Sequence, residues 1–151
     1  MIKQIAHVGV TVSDIDRSIA FYRDVLGLDF KGEMTMEGKE TDLLFGRKNS
    51  KARVAYLNGS DHIMCPPLEL IQFTEQDIKG DEADLFKTSI SEICFATDDI
   101  WKAYHELKEK GVEFLSEPQE FDSTAYGFGK SIAVYLRDPD GIIMELIQPV
   151  E

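Results

Sequence analysis

The sequence predicts an α+β fold in which two βαβββ modules follow one another along the chain. The tetrapeptide Glu-Leu-Ile-Gln occurs twice, at residues 69–72 and 145–148, each time inside a short apolar run typical of a strand. Residues 7–14 and 92–99 also correspond, and each segment precedes an amphipathic helical pattern. Such a repeat indicates a duplicated structural unit. We therefore expect one domain over residues 1–151, with a first module at 4–74 and a second at 88–150.

The first module begins with a strand over residues 4–12, in which valines alternate with His7 and other polar or small residues. Asp14 suits the N-cap of the following helix, because its carboxylate can accept a free backbone N–H. Gly27 suits the left-handed position just after the helix. Residues 28–58 have the composition of loops and strands.

The second module repeats this plan after a linker at residues 74–87, which are acidic and weakly periodic. A strand at 91–97 precedes a helix that Asp99 caps and Gly111 ends. The sequence Asp138-Pro-Asp-Gly141 predicts a tight turn between the last two strands of the chain. The remaining strands are expected from Pro66 and Pro67 to Phe73, at 131–137 and at 142–148.

The composition is that of an acidic, soluble globular protein. Asp and Glu number 28 and Lys and Arg 16, so the net charge is −12. Such a charge repels phosphate backbones and anionic membranes, and we expect neither nucleic acid nor membrane as a partner. The N-terminus lacks the plan of a secretion signal, which predicts a cytoplasmic location. We interpret Cys65 and Cys94 as packing residues. A basic cluster that could bind an anionic substrate consists of Arg47, Lys48, Lys51 and Arg53.

The duplication also places four potential metal ligands at matching positions: His7 matches Glu92, and Glu69 matches Glu145. A strand carboxylate between apolar neighbours is costly to bury unless it is paired, hydrogen-bonded or bound to a metal. Taken alone, a strand glutamate is more often solvated, and a strand histidine is more often structural. Together the four residues favour a common site, which forms if a pseudo-two-fold axis relates the repeats.

Several segments of the chain match a known family: Ala6-His-Val-Gly-Val-Thr-Val-Ser-Asp14, Ser18-Ile-Ala-Phe-Tyr22, Leu26-Gly27, Glu92-Ile-Cys-Phe95, Asp98-Asp99-Ile100 and Asp138-Pro-Asp-Gly-Ile-Ile-Met-Glu145. Through them nearly the whole chain resembles the vicinal oxygen chelate superfamily, which includes glyoxalase I, methylmalonyl-CoA epimerase, extradiol dioxygenases and the fosfomycin and bleomycin resistance proteins. The resemblance implies paired modules whose curled mixed sheets form a metal-bearing cleft. It also implies ligands on the first and last strands of each module, which here are His7, Glu69, Glu92 and Glu145.

The resemblance further implies a divalent-metal-dependent lyase or isomerase of glyoxalase or epimerase type. The metal would stabilise an enediolate of a small carbonyl or acyl substrate, and Glu145, with Glu69 or Glu92 as its counterpart, would move a proton at the adjacent carbon. A histidine with three carboxylates permits Zn, Ni, Co, Mn, Mg or Fe(II).

Two positions depart from the family pattern. Glu92 stands where the second module usually has a histidine ligand, so the two-histidine, one-carboxylate iron triad is missing and dioxygenase chemistry is disfavoured. Thr11 stands where glutathione-using glyoxalase I enzymes have an arginine, which disfavours a glutathione conjugate as the substrate. The alternative function is a non-catalytic, ligand-sequestering protein similar to the bleomycin resistance proteins.

The expected partners are a small-molecule substrate and a second copy of the chain in a homodimer, with the site either within one chain or shared between two. The glycine-punctuated segment 122–130, with Tyr126 and Phe128, could fold over the cleft as a lid or could be a plain hairpin loop. Arg53 and Tyr56 could bind a substrate carboxylate, although pairing with surface acids is the simpler expectation.

Overall fold

The structure is a computed structural model, and it describes three stretches of the chain. These are residues 5–59, 67–78 and 80–150. The predictions that Cys65 is a packing residue and that Pro66 starts a strand concern positions outside these stretches. Within the described stretches, no helix is long and apolar enough to span a membrane.

The chain divides into two compact units, Met1–Gly80 and Asp81–Glu151. Their boundary falls inside the acidic segment 74–87, which the sequence indicates as a linker. The predicted modules at 4–74 and 88–150 each lie within one unit. Each unit contains a four-stranded mixed sheet, so the α+β fold with tandem βαβββ modules is confirmed. The assignment of both modules to a single domain stays a prediction.

The first unit is a βαβββ module with one additional helix. Its elements are β1 (Val8–Thr11), α1 (Ile15–Ala20), a π-helical turn (Phe21–Val25), β2 (Asp29–Glu37), α2 (Lys39–Phe45), β3 (Lys51–Asn58) and β4 (Leu68–Phe73). The strand order is β1-β4-β3-β2. Strands β1 and β4 are parallel, and the other pairs are antiparallel. Strand β4 therefore has a hydrogen-bonded neighbour on each side.

The second unit has the same topology. Its elements are β5 (Ile93–Ala96), α3 (Ile100–Glu109), β6 (Gln119–Asp122), a 3-10 turn (Thr124–Tyr126), β7 (Lys130–Arg137) and β8 (Ile143–Val150). The strand order is β5-β8-β7-β6, with β5 and β8 parallel. Strand β8 is the interior counterpart of β4.

Alternate residues along β1 are buried and exposed, as the sequence pattern predicts. Val10 and Val12 are buried, whereas Gly9 and Thr11, which point to the other face, are exposed. Helix α3 is amphipathic, as predicted, because its apolar residues recur at helical spacing. Its buried residues are Ile100, Tyr104 and Leu107.

The predicted helix boundaries are confirmed in both units. The Oδ1 atom of Asp14 accepts a hydrogen bond from the backbone N–H three residues later at 3.1 Å, and Asp99 does the same at 3.0 Å. Gly27 and Gly111 follow the two helical segments with φ of 79° and 84°. Such left-handed conformations favour glycine, because the Cβ atom of most other residues would be strained there.

The duplicated glutamines of Glu-Leu-Ile-Gln connect each interior strand to the start of a helix. Gln72 Oε1 accepts a hydrogen bond from the N–H of Ile15 at 3.1 Å, and its Nε2 donates to the carbonyl of Ser13 at 3.0 Å. Gln148 Oε1 accepts from the N–H of Ile100 at 2.9 Å. A helix start leaves several backbone N–H groups without partners, and each glutamine satisfies one of them. The repeat therefore has a structural role as well as a chemical one.

The interpretation of residues 28–58 as loops and strands alone is wrong, because it misses α2. Gly38 and Gly46 flank this helix, and Gly46 has a φ of 65°. Leu43 and Leu44 are 72% and 71% exposed. A helix that leaves neighbouring leucines in solvent has no apolar stripe, and hydrophobic periodicity does not detect it.

Replacing Gln148 with alanine removes the hydrogen bond to the first turn of α3. We expect the free energy of unfolding to fall by ~1 kcal/mol, because a helix N–H loses its partner. Denaturation of the purified variant in urea measures the change. The matched control is Gln119→Ala on β6, where the side chain is exposed and bonds only to a neighbouring carbonyl. Equal stability of the two variants would contradict this role for Gln148.

Candidate functional site

The first unit contains an N-terminal half-site, which consists of His7, Tyr56 and Glu69. His7 directly precedes β1, and Glu69 lies on the adjacent parallel strand β4. The Nε2 atom of His7 is 2.7 Å from Oε2 of Glu69. The imidazole side chain is 48% exposed and the carboxylate side chain 9%. A nearly buried carboxylate thus has a hydrogen-bond partner that solvent can reach.

Tyr56 binds the other oxygen of the same carboxylate. It lies directly opposite Glu69 in the antiparallel pair of β3 and β4, and its hydroxyl donates to Oε1 of Glu69 at 3.2 Å. Its ring is edge-on to the imidazole of His7, with centroids 6.3 Å apart. Both carboxylate oxygens are therefore bound by donors, which offsets the cost of burying Glu69 on an interior strand.

The second unit contains a C-terminal half-site at the matching places, which consists of Glu92, Cys94, Tyr135 and Glu145. Glu92 directly precedes β5, as His7 precedes β1. On β8, Glu145 lies between Cys94 of β5 and Tyr135 of β7. The Cys94 thiol and the Glu145 carboxylate are hydrogen-bonded, and the negative charge of Glu92 acts on both Cys94 and Tyr135.

The two half-sites differ at the position next to the interior carboxylate. In the first unit this position is Gly9, where a Cβ atom would lie 3.9 Å from Oε2 of Glu69. In the second unit Cys94 occupies the position, and its thiol contacts Glu145. The facing residue on the first strand therefore gives Glu145 a thiol neighbour and gives Glu69 no side chain.

The environments of the half-sites favour protonated phenols and a protonated thiol. Burial, followed by the charge and hydrogen bond of Glu69, raises the pKa of Tyr56. Burial, followed by the charge of Glu145 and then that of Glu92, raises the pKa of Tyr135. For Cys94, burial of the sulfur, the hydrogen bond to Glu145 and the nearby carboxylate charges raise the pKa to about 12. At neutral pH these three groups are hydrogen-bond donors.

The structure brings His7 and Glu69 together, and it places Glu92 and Glu145 around Cys94. Among the described residues, no group of three or more His, Cys, Asp and Glu side chains is arranged to hold a metal ion. The assignment of the four residues to one metal site stays a prediction. The prediction that Cys94 is a packing residue is wrong, because this residue is exposed.

The donor set of the half-sites fits a divalent cation chemically. It offers one imidazole nitrogen and the oxygens of three carboxylates, which are ligands that Mn, Co, Ni, Zn and Mg accept. Within the described part of the chain, neither Glu69 nor Glu145 forms an ion pair with lysine or arginine. The lysine and arginine side chains of these stretches therefore do not compete with a metal ion for the two carboxylates.

Tyr135 is the residue of the site that the sequence interpretation missed, and Tyr56 has a different role from the one expected. Both tyrosines stand on the strand before the interior strand, and both are followed by leucine, in Val54-Ala-Tyr-Leu57 and Ala133-Val-Tyr-Leu136. This second duplicated motif is the signal that could have identified them.

Two further predicted features are surface elements. Arg53 forms a bidentate pair with Asp16 and contacts Glu33, so its expected pairing with surface acids is confirmed. Lys51 of the predicted basic cluster is 3.0 Å from Glu37. The segment 122–130 connects antiparallel β6 and β7 as a hairpin loop, with Tyr126 79% and Phe128 86% exposed.

Comparison with known proteins identifies the family to which this chain belongs. The sequence model of the Glyoxalase/Bleomycin resistance protein/Dioxygenase superfamily matches residues 4–146. The chain belongs to this superfamily. The predicted resemblance to the vicinal oxygen chelate proteins is therefore confirmed, and the superfamily includes glyoxalase and epimerase enzymes.

Relatives with different names share about a quarter of their residues with this chain. A lactoylglutathione lyase from Haemophilus influenzae is 28% identical over 145 residues, which cover 96% of this chain and 92% of that protein. The mitochondrial methylmalonyl-CoA epimerase of Mus musculus is 25% identical over 144 residues, covering 94% of this chain and 71% of that protein. The crystal structure of a glyoxalase family protein from Bacillus cereus superposes with a TM-score of 0.84 at 21% identity, covering 100% of this chain and 97% of that one. This last likeness shows the fold alone.

Alkylation of Cys94 tests the geometry of the C-terminal half-site. In metal-free protein with the substitution Cys65→Ser, we expect iodoacetamide at pH 8 to react at least ~10-fold more slowly than with an ordinary thiol, because the thiolate is scarce below a pKa of about 12. Glu145→Gln removes the nearest negative charge, so it should lower this pKa and accelerate the reaction. The matched control is Glu120→Gln on β6. Equal rates in the two glutamine variants would rule out the contact between Cys94 and Glu145.

Proposed function

We propose that this protein is a divalent-metal-dependent lyase or isomerase of glyoxalase or epimerase type, which transfers a proton at the carbon next to a carbonyl group of a small oxygenated substrate. The duplicated half-site is the main support, because each module has a glutamate on an interior strand with hydrogen-bond donors beside it. Membership in a superfamily whose members typically use divalent metals supports the same chemistry.

The proposed metal ligands are His7, Glu69, Glu92 and Glu145, drawn from one chain or from two chains of a homodimer. Three carboxylates carry more negative charge than a dication can neutralise, so one of them would be available to act on the substrate. A bound divalent cation would supply Lewis-acid stabilisation of the negative charge that develops on the substrate oxygens.

Glu145 is the stronger candidate for the proton acceptor, and Glu69 for the fixed ligand. Both oxygens of Glu69 are within hydrogen-bond distance of a donor, His7 on one side and Tyr56 on the other. Such bonds hold a carboxylate in place. Glu145 is half-buried and has a thiol, a weak donor, as its hydrogen-bonded neighbour. It can therefore move toward a substrate more easily.

Two carboxylates at equivalent positions of the repeat suit a proton transfer that leaves the substrate neither oxidised nor reduced overall. One carboxylate removes the proton from the carbon next to the carbonyl. Return of the proton to the neighbouring carbon gives a glyoxalase-type rearrangement, and its return to the opposite face of the same carbon gives an epimerisation. Because Thr11 is not a cation, the site offers no positive charge at the place where it would favour a glutathione carboxylate.

Metal uptake is the first test of the proposal. Protein treated with EDTA, dialysed and then incubated with Mn²⁺, Co²⁺, Ni²⁺ or Zn²⁺ should retain about one ion for each set of four ligands, as measured by elemental analysis. The double variant His7→Ala with Glu145→Gln should lose this ion, because it lacks one ligand from each half-site. A wild-type protein that retains none of these ions would contradict the metal-dependent function and favour the ligand-sequestering alternative.

Proton exchange tests the catalytic role of Glu145. NMR in D₂O follows the exchange of the proton next to the carbonyl in a panel of small hydroxyketones, hemithioacetals and acyl thioesters. We expect metal-loaded wild-type protein to catalyse exchange in one class, and Glu145→Gln to slow it by ~10²–10⁴-fold, the usual contribution of a general base. Glu120→Gln on exposed β6 should leave the rate unchanged. Equal rates for wild type and Glu145→Gln would exclude Glu145 as the base.

A further inference from the structure

Each interior carboxylate faces a tyrosine on the neighbouring antiparallel strand. The register pairs Tyr56 with Glu69 and Tyr135 with Glu145. Directly opposite residues in such a pair have Cβ atoms ~5 Å apart and lie on the same face of the sheet. The strand geometry of both units therefore keeps a phenol beside a carboxylate, whatever else surrounds them.

The N-terminal half-site shows what the phenol does. The Tyr56 hydroxyl donates to Oε1 of Glu69, and His7 lies against Oε2 of the same group. The ring of Tyr56 also contacts the imidazole edge-on. One tyrosine thus holds one carboxylate oxygen, leaves the other directed toward His7, and restricts the orientation of the imidazole.

A phenol is suited to this role because it is a neutral donor. A lysine or arginine at the same place would also bind the carboxylate, but its positive charge would repel a dication and neutralise the ligand. Arg53 and Lys51, on the same strand as Tyr56, are paired with other acids and not with Glu69. The phenol thus fixes the direction of the carboxylate without placing a positive charge beside it.

We propose that Tyr56 is a positioning residue for the metal-ligand carboxylate of Glu69. Its hydroxyl binds Oε1, so that Oε2, the oxygen against His7, is the one directed toward a divalent cation that both residues would hold. This inference rests on the proposed function, and it extends that function to a residue outside the predicted ligand set. Tyr135 faces Glu145 in the same register and lies near its charge, but among the described residues no hydrogen bond joins the two.

Co²⁺ binding measures this role without any assay of activity. The variant Tyr56→Phe keeps the ring and removes only the hydroxyl. We expect it to weaken the Co²⁺ affinity of the EDTA-treated protein by ~10-fold or more, since loss of a hydrogen bond to a ligand commonly costs ~10–100-fold. Its Co²⁺ absorption spectrum should also differ from the wild-type spectrum, because a ligand that is no longer held changes the coordination geometry.

The matched control is Tyr104→Phe on α3, whose hydroxyl accepts a hydrogen bond from Lys108 at 2.8 Å away from these strands. Thermal unfolding of the metal-free proteins separates positioning from stability. A positioning role leaves the melting temperature of Tyr56→Phe close to that of the control, while only Tyr56→Phe loses Co²⁺ affinity. If Tyr56→Phe fails to fold, Tyr56→Met, which also lacks the hydroxyl, takes its place.

The outcomes distinguish this inference from the function on which it rests. Wild-type protein that binds no Co²⁺ would overturn both. Wild-type protein that binds Co²⁺ with an affinity and a spectrum unchanged in Tyr56→Phe would overturn the positioning role alone. A loss of affinity that also occurs in Tyr104→Phe, in proportion to lost stability, would assign Tyr56 a merely structural role.

Discussion

A glutamate on an interior strand of each module sets the requirements for the residues around it. Glu69 on β4 is buried, and Glu145 on β8 is half-buried. Burying an unpaired carboxylate would cost several kcal/mol. Neighbouring residues therefore supply donors, which are Tyr56 and His7 beside Glu69 and the thiol of Cys94 beside Glu145.

The duplicated motif Glu-Leu-Ile-Gln gives one strand two roles. Its glutamate belongs to the half-site. Its glutamine binds the first turn of the helix in the same module, which is α1 in the first unit and α3 in the second. A mutation in the motif would therefore change both the stability of its module and the half-site of that module. The two copies have nevertheless diverged beside the carboxylate, where Gly9 has no side chain and Cys94 supplies a thiol. Such divergence is consistent with unequal roles, a fixed ligand on one side and a mobile base on the other.

The sequence was sufficient for the fold because strand alternation, helix caps and the internal repeat are local signals. Asp14 and Asp99 illustrate this, since each cap bonds to an amide three residues later. The missed features depend on other information. Helix α2 has no apolar stripe to detect, and the pairing of Tyr135 with Glu145 depends on strand register, which hydrophobic pattern alone does not specify. The exposure of Cys94 follows from its strand face and not from its residue type.

Anomalous diffraction from crystals grown with Co²⁺ would locate the ion and its ligands together. We predict one strong peak with His7, Glu69, Glu92 and Glu145 as ligands, whether they come from one chain or two, and with the Tyr56 hydroxyl bound to Oε1 of Glu69. A protein with no ordered ion at these residues, or with an ion held by other side chains, would contradict the proposed site.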